Sequence, residues 1–231
     1  MGTLSGFPNP PVVDVPAAPR AVIFDMDGTL TEPLLDFDAI RAEIGLRPGL
    51  PILEQLAAGD EALRARGEEI MRRHERDAMA HATLADGCVE LLACLQAARV
   101  PCAILTRNVR EVVESFVRKF DLGASFAHDG RVPGAVSHDE SAPLILAAYT
   151  REDGPPKPAP DGVLHLCRAF GVAPAETLVV GDFTFDIVAG RAAGCRTALV
   201  TAEPIDDAEA WGSPDMIVRS LRQLIPLWDP P

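Results

Sequence analysis

Three short apolar runs in this chain each stop on a polar side chain: 21–24 on Asp25, 100–105 on Thr106 and 177–181 on Asp182. The first is followed by Gly28 and reads as a buried strand breaking into a loop. Two further runs, 195–201 and 216–218, have the same character, and most of the gaps between runs carry a helical period. Strands that alternate with helices predict an α/β fold, a doubly wound, mainly parallel, Rossmann-like sheet covered on both faces. Ligands of such sheets bind beyond the carboxyl ends of the strands, near the point where strand order reverses. Asp25, Thr106 and Asp182 are all delivered to that edge.

The gap after the first strand is too long for a plain crossover. Within 31–85 three helical segments are expected, at 37–44, 52–58 and 61–81, the last highly charged. Asp86 is then placed to cap a helix whose Cys88, Leu91, Leu92 and Leu95 form one apolar stripe. That helix should lie on the sheet, so 31–85 reads as a small inserted α-helical cap over the strand ends, a candidate lid. The core is expected to consist of 21–30 and 86–231. Residues 1–20, with five prolines, read as an extended arm. The third strand is either 144–150 after a polar, turn-rich loop at 131–141, or 144–148 is helical and the strand lies elsewhere.

Charge and composition narrow the function classes. A formal net charge of -13 without a long Lys/Arg block argues against nucleic-acid and anionic-membrane partners, while a local nest of amides and cations could still bind a small phosphate. The five cysteines form no C-x-x-C pair and read as buried, reduced thiols. With no basic start followed by an apolar run and no stretch apolar enough to span a bilayer, a cytoplasmic location is expected. The five histidines lack metal-ligand spacing, and no serine lies in a G-x-S-x-G turn.

The sequence Asp25-Met26-Asp27-Gly28-Thr29-Leu30 sets two carboxylates two residues apart, then a glycine and a hydroxyl, directly after a strand. Taken alone it could be a solvated turn with capping aspartates. Together with Thr106 at a strand end, Lys157 between prolines in Pro155-Pro156-Lys157-Pro158, and Gly181-Asp182-Phe183-Thr184-Phe185-Asp186, it resembles the four ordered motifs of the haloacid dehalogenase superfamily. The resemblance covers about 21–201 and is nearest to phosphoglycolate-phosphatase-like members with a small helical cap.

It implies a magnesium-dependent phosphatase acting on a small phosphorylated metabolite through an aspartyl-phosphate. Asp25 would be the nucleophile and Asp27 the general acid and base. Two carboxylates beside a phosphate dianion repel it, so a divalent cation is needed, and all-oxygen ligands suit Mg2+. The resemblance assigns it to Asp25, Asp182 and the backbone carbonyl of Asp27, with Asp186 holding its waters or orienting Lys157. Asp186 could equally cap the helix at 187–193. Thr106, the amides of Arg107 and Asn108 at a helix start, and Lys157 would bind the phosphoryl group.

Two features depart from the pattern. Arg107 follows Thr106 where many relatives have asparagine, so it could touch substrate, and the insert is short for a family cap. Arg41, Arg47 and the arginines of 64–76 are further candidates for contact with the leaving alcohol. A phosphomutase of the same superfamily and a catalytically silent binding module on the same fold are the alternatives.

Overall fold

The computed structural model describes residues 18–122 and 145–228. The expectations for the arm before residue 18 and for the loop at 131–141 fall outside these residues.

The sheet has six strands: β1 (Ala21–Phe24), β2 (Cys102–Leu105), β3 (Ala147–Tyr149), β4 (Thr177–Gly181), β5 (Arg196–Val200) and β6 (Met216–Val218). They run in the spatial order β3-β2-β1-β4-β5-β6, and every pairing is parallel. The sheet is therefore wholly rather than mainly parallel, and of the two expectations for the third strand the first holds. Strand order reverses between β1 and β4, which opens a crevice at their carboxyl ends.

The strands alternate their burial between two cores. Val22, Phe24 and Ile104 pack with Leu91, Leu95 and Phe116, on the side of helices α4 (Cys88–Ala97) and α5 (Arg110–Phe120). Ile23, Ala103 and Val179 pack with Val163, Leu166 and Ala189, on the side of α6 (Asp161–Phe170) and α7 (Thr184–Ala193). Because β1 is covered on both faces, all four of its residues have no exposed surface, which explains why it reads as a continuous apolar run.

Between β1 and α4 lie α1 (Phe37–Ile44), α2 (Ile52–Ala58) and α3 (Glu61–His81). The chain leaves and re-enters the core side by side: Glu32 N–H donates to the Thr83 carbonyl at 3.0 Å and Ala85 N–H to the Leu30 carbonyl at 3.0 Å. The insert has its own apolar cluster of Ile40, Ile44, Ile52, Leu56 and Met71. Its last helix is tied to the core by Lys119 of α5, whose Nζ donates to the carbonyls of Met79, Ala80 and Ala82 at 3.0, 2.9 and 2.9 Å. The Met79 carbonyl also accepts the Ala82 N–H at 3.3 Å, and at this end of the helix, where intrahelical donors run out, a cation helps to satisfy the last carbonyls and suits the helix dipole.

The start of α4 differs from expectation. Its N-cap is Gly87, in the left-handed conformation, with no side-chain cap, and Asp86 instead faces Arg222 at 3.2 Å. Chain crowding is the reason: a Cβ on Gly87 would lie 2.3 Å from the Arg222 backbone nitrogen in the closing 3₁₀ segment Leu221–Leu227. We expect Asp86→Ala to change unfolding free energy by no more than about 0.5 kcal/mol. Gly87→Ala should cost at least the roughly 1–2 kcal/mol of a left-handed alanine. Equilibrium urea unfolding of the two variants checks the order.

Candidate active site

The crevice between β1 and β4 collects five of the sequence-predicted side chains. Asp25 leaves the end of β1, where its N–H still donates to the Val180 carbonyl at 2.8 Å. Asp182 follows β4 directly, and Asp186 lies in the first turn of α7. Thr106 follows β2 and is buried. Lys157 comes from the loop between β3 and α6, shaped by Asp153, which accepts from the Thr150 amide at 2.7 Å and hydroxyl at 2.8 Å.

Lys157 is the hub. Its Nζ lies 2.6 Å from Asp25 Oδ1 and 2.5 Å from Asp186 Oδ1. Burial alone would lower the Lys157 pKa, but Asp186 and Asp25 outweigh it and raise it, so the ammonium stays charged. Asp186 therefore faces Lys157, and it also accepts from the Phe183 amide at 3.2 Å as the third residue of α7 rather than as its N-cap. Of the sequence readings of Asp186, contact with Lys157 is seen, whereas the N-cap reading is corrected: the helix begins three residues earlier, at Thr184, and Asp186 reaches back to the N-cap amide from inside its first turn.

Oxygen atoms of Asp25, Asp182 and Asp186 all lie within 4.8 Å of one another. One ammonium faces three carboxylates, and the imbalance is visible in Asp182. Desolvation, followed by repulsion from Asp25 and Asp186, pushes it up to about 8. Asp186 is raised to about 6, by burial first, against the opposing pull of Lys157. A compact, all-oxygen, net-negative donor set of this kind fits a hard divalent cation such as magnesium. The side chain of Asp27 stands apart from the cluster.

Asp27 Oδ2 instead accepts from Asn108 Nδ2 at 2.5 Å. Burial and then Asp25 push the Asp27 carboxyl up to about 7, with the Asn108 hydrogen bond opposing. The environment thus holds two neighbouring aspartates differently: Asp25 is paired with an ammonium, while Asp27 is poised to carry a proton near neutrality.

Asn108 and Arg107 sit differently from the expectation that their amides open a helix. The α5 helix begins at Arg110, and the Asn108 amide already donates to Thr106 Oγ1 at 3.1 Å. Arg107 lines the cavity, yet its guanidinium forms a two-pronged pair with Glu54 of α2, at 2.9 and 2.7 Å, and stacks 4.8 Å over the Phe185 ring. Of the other arginine candidates only Arg41 lines the cavity, whereas Arg66, Arg72 and Arg73 bind Ile44 O, Glu152 and Glu43.

Sequence reasoning missed Glu54, Glu75 and Arg151. Glu75 sits in the charged helix α3, which reads as a solvated face, yet it is buried and pairs with Arg151 at 2.5 Å. A signal was present: Gly67, Met71, Glu75 and Met79 recur every four residues and form the buried stripe of α3. Burial raises the Glu75 pKa, with Arg151 opposing. Arg151 also donates to the Arg107 carbonyl at 2.8 Å, so this pair braces the loop that carries Asn108.

The sequence profile of the haloacid dehalogenase-like hydrolases matches residues 37–194. The chain belongs to this family. It is 30% identical over 225 residues to an N-acetylmuramic acid 6-phosphate phosphatase of Pseudomonas putida, covering 86% of this chain and 91% of that protein. A phosphoglycolate phosphatase of Chromobacterium violaceum is 28% identical over 232 residues, covering 90% and 96%. In fold, a hydrolase from Pseudomonas syringae superposes with a TM-score of 0.69 at 18% identity, covering 89% of this chain and 96% of that one. Among the described residues no helix is long and apolar enough to cross a membrane.

Gly28 explains why the D-x-D-G turn of this hydrolase ends in glycine. Its φ is +77°, and a Cβ there would lie 2.2 Å from Asp182 Oδ2. Gly28→Ala should therefore push the Asp182 carboxylate out of the cluster. By calorimetric titration with magnesium we expect affinity to fall roughly tenfold or more, as when the support of a metal ligand is lost. Unchanged affinity would separate Asp182 from cation binding.

Proposed function

We propose that this hydrolase is a phosphatase that releases inorganic phosphate from a small phosphorylated metabolite by way of a phosphorylated Asp25. The observation that carries the reading is the different surroundings of the two aspartates of one turn, Asp25 at 2.6 Å from the Lys157 ammonium and Asp27 apart from it, hydrogen-bonded to Asn108 Nδ2. The resemblance to enzymes named for hydrolysis of phosphoglycolate and N-acetylmuramic acid 6-phosphate supports a phosphomonoester as substrate class.

Asp25, Asp182 and Asp186, with the Asp27 carbonyl, would hold magnesium, whose charge offsets the repulsion between these carboxylates and a phosphate dianion. Lys157 adds a fixed cation and Thr106 a hydroxyl for the phosphoryl oxygens. An Asp25 carboxylate oxygen attacks phosphorus in line with the scissile P–O bond. As that bond breaks, the proton of the Asp27 carboxyl passes to the leaving alcohol oxygen. The Asp27 carboxylate then takes a proton from a water molecule that attacks the phosphorus, which frees Asp25 and releases phosphate. One carboxyl serves both half-reactions, and it needs a pKa near the working pH to do so.

The insert 31–85 is proposed to act as a cap that contacts the leaving alcohol, since the core residues named above engage only the phosphoryl group and the cation that all substrates share. Such a cap would also limit water around the phosphorylated aspartate.

Phosphate release from a panel of phosphorylated metabolites, with and without chelator, tests this reading. Asp25→Asn should abolish turnover, because an amide cannot form the acyl phosphate, and Asp27→Asn should lose roughly 10²–10⁴-fold in kcat. The Asp27 loss should be smallest for aryl phosphates whose leaving group needs little protonation. Full activity in excess chelator, or substantial turnover by Asp25→Asn, contradicts the reading.

A further inference from the structure

The cavity that ends at the carboxylate cluster has a volume of about 340 Å³ and is lined by three cationic side chains, Arg41 of α1, Arg107 and Lys157. Two of them are spent. Lys157 holds Asp25 and Asp186. Arg107 is matched to Glu54 by two hydrogen bonds, donates to the Lys157 carbonyl and stacks on Phe185. A planar fork paired with a carboxylate in this way is the strongest form of such a contact.

Arg41 is held far more loosely. Its Nη2 lies 2.6 Å from Asp38 on the same helix, but the Asp38 side chain is 82% exposed, so water competes for the pair. Its Nη1 reaches the Leu50 carbonyl only at 3.5 Å, the outer limit of a hydrogen bond. Its Nε is buried and has no partner among the described residues. A buried donor of a charged group left unsatisfied is costly, and an acceptor that reached it would recover that cost. The ion pair that has to yield as the guanidinium turns toward such an acceptor is the weak one with Asp38.

We infer, resting on the phosphatase reading above, that the substrate is the phosphate ester of a hydroxy acid and that Arg41 binds its carboxylate. The two anionic ends are then received by different parts of the chain, the phosphoryl group at the sheet edge and the carboxylate by α1 of the insert. Leu35, Ile40, Ile52 and Met71 give the cavity apolar walls, which suit a hydrocarbon spacer between those ends. A single negative charge fits Arg41 better than a second phosphate does. Asp25, Asp27, Asp182 and Glu75 line the same cavity, so a dianion meets more repulsion than one loosely held guanidinium offsets. A carboxylate is also planar and can accept from a guanidinium through two parallel hydrogen bonds. Arg41 is thus a substrate-binding residue that sets specificity for the leaving alcohol.

The test compares ω-carboxyalkyl phosphates of increasing chain length with alkyl phosphates of the same length, which share the bond that breaks and differ in one remote charge. At the length that spans the cavity the wild-type protein should favour the carboxylated ester in kcat/KM by roughly tenfold or more, chiefly through KM. Arg41→Gln should bring that ratio down to about one, which a general loosening of the insert would not do, since it would weaken both esters alike. Arg41→Met, whose side chain suits the apolar walls, gives the same comparison if glutamine is not tolerated. No preference for the carboxylated ester at any length, or a ratio unmoved in the folded Arg41 variants, overturns this inference and leaves the phosphatase reading standing. So does a higher kcat/KM for an alkanediol bisphosphate than for the carboxylated ester of equal length, which would give Arg41 to a second phosphate. If no ester releases phosphate from the wild-type protein, the phosphatase reading fails and this inference falls with it.

Discussion

Carboxylates crowded at one end of a hydrophobic sheet repel each other, and much else in this protein follows from how that repulsion is managed. Asp25, Asp182 and Asp186 place oxygen atoms within 4.8 Å of one another, at a partly buried site where charges interact more strongly than in open water. One buried ammonium, Lys157, offsets part of this by touching Asp25 and Asp186. Burial first, and then the repulsion that Lys157 leaves uncompensated, pushes Asp182 and Asp27 well above the ordinary aspartate range. A site under that tension favours a divalent cation, and it supplies the proton-carrying carboxyl that the proposed chemistry needs.

The fold exists in a form that can bear this cost. Parallel strands buried on both faces make a rigid floor, and the reversal of strand order between β1 and β4 brings Asp25 and Asp182 together from positions far apart in the chain. Close approach is secured by small residues: Gly28 leaves room for the Asp182 carboxylate, and Gly181 for that of Asp186, which a Cβ would meet at 2.1 Å from its Cγ. Above this floor the insert is pinned by Lys119 to the end of α3, by Arg151 to Glu75 and by Arg107 to Glu54. The last two links reach the cavity wall, so the placement of the insert and the lining of the cavity share side chains.

The sheet and the convergence of Asp25 and Asp182 at its carboxyl edge were legible in the sequence because both depend on local order. An apolar run that ends in a carboxylate specifies strand, edge and functional group together, and this holds for Asp25 and Asp182 with no knowledge of neighbours. Lys157 was legible only through its resemblance to a motif, since a lysine between prolines has no periodicity that reveals burial. The pairings of Arg107 with Glu54 and of Arg151 with Glu75 were not legible, because each joins residues 53 and 76 positions apart in sequence, which no local pattern connects. The capping of α4 was misread for a related reason: Asp86 has the right chemistry for a cap, but the approach of the Arg222 backbone requires glycine at the next position. Local propensity gave way to a tertiary contact.

In the proposed mechanism phosphorus is bonded to Asp25 during turnover. Rapid mixing with an aryl phosphate in the presence of magnesium, an acid quench, borohydride reduction and peptide mass spectrometry test it directly, because borohydride reduces an acyl phosphate and converts the aspartate to homoserine. Homoserine is expected at position 25 alone, formed only when magnesium and substrate are both present. Steady phosphate release with residue 25 recovered as unmodified aspartate at every quench time, or homoserine at position 27 or 182 instead, would contradict it.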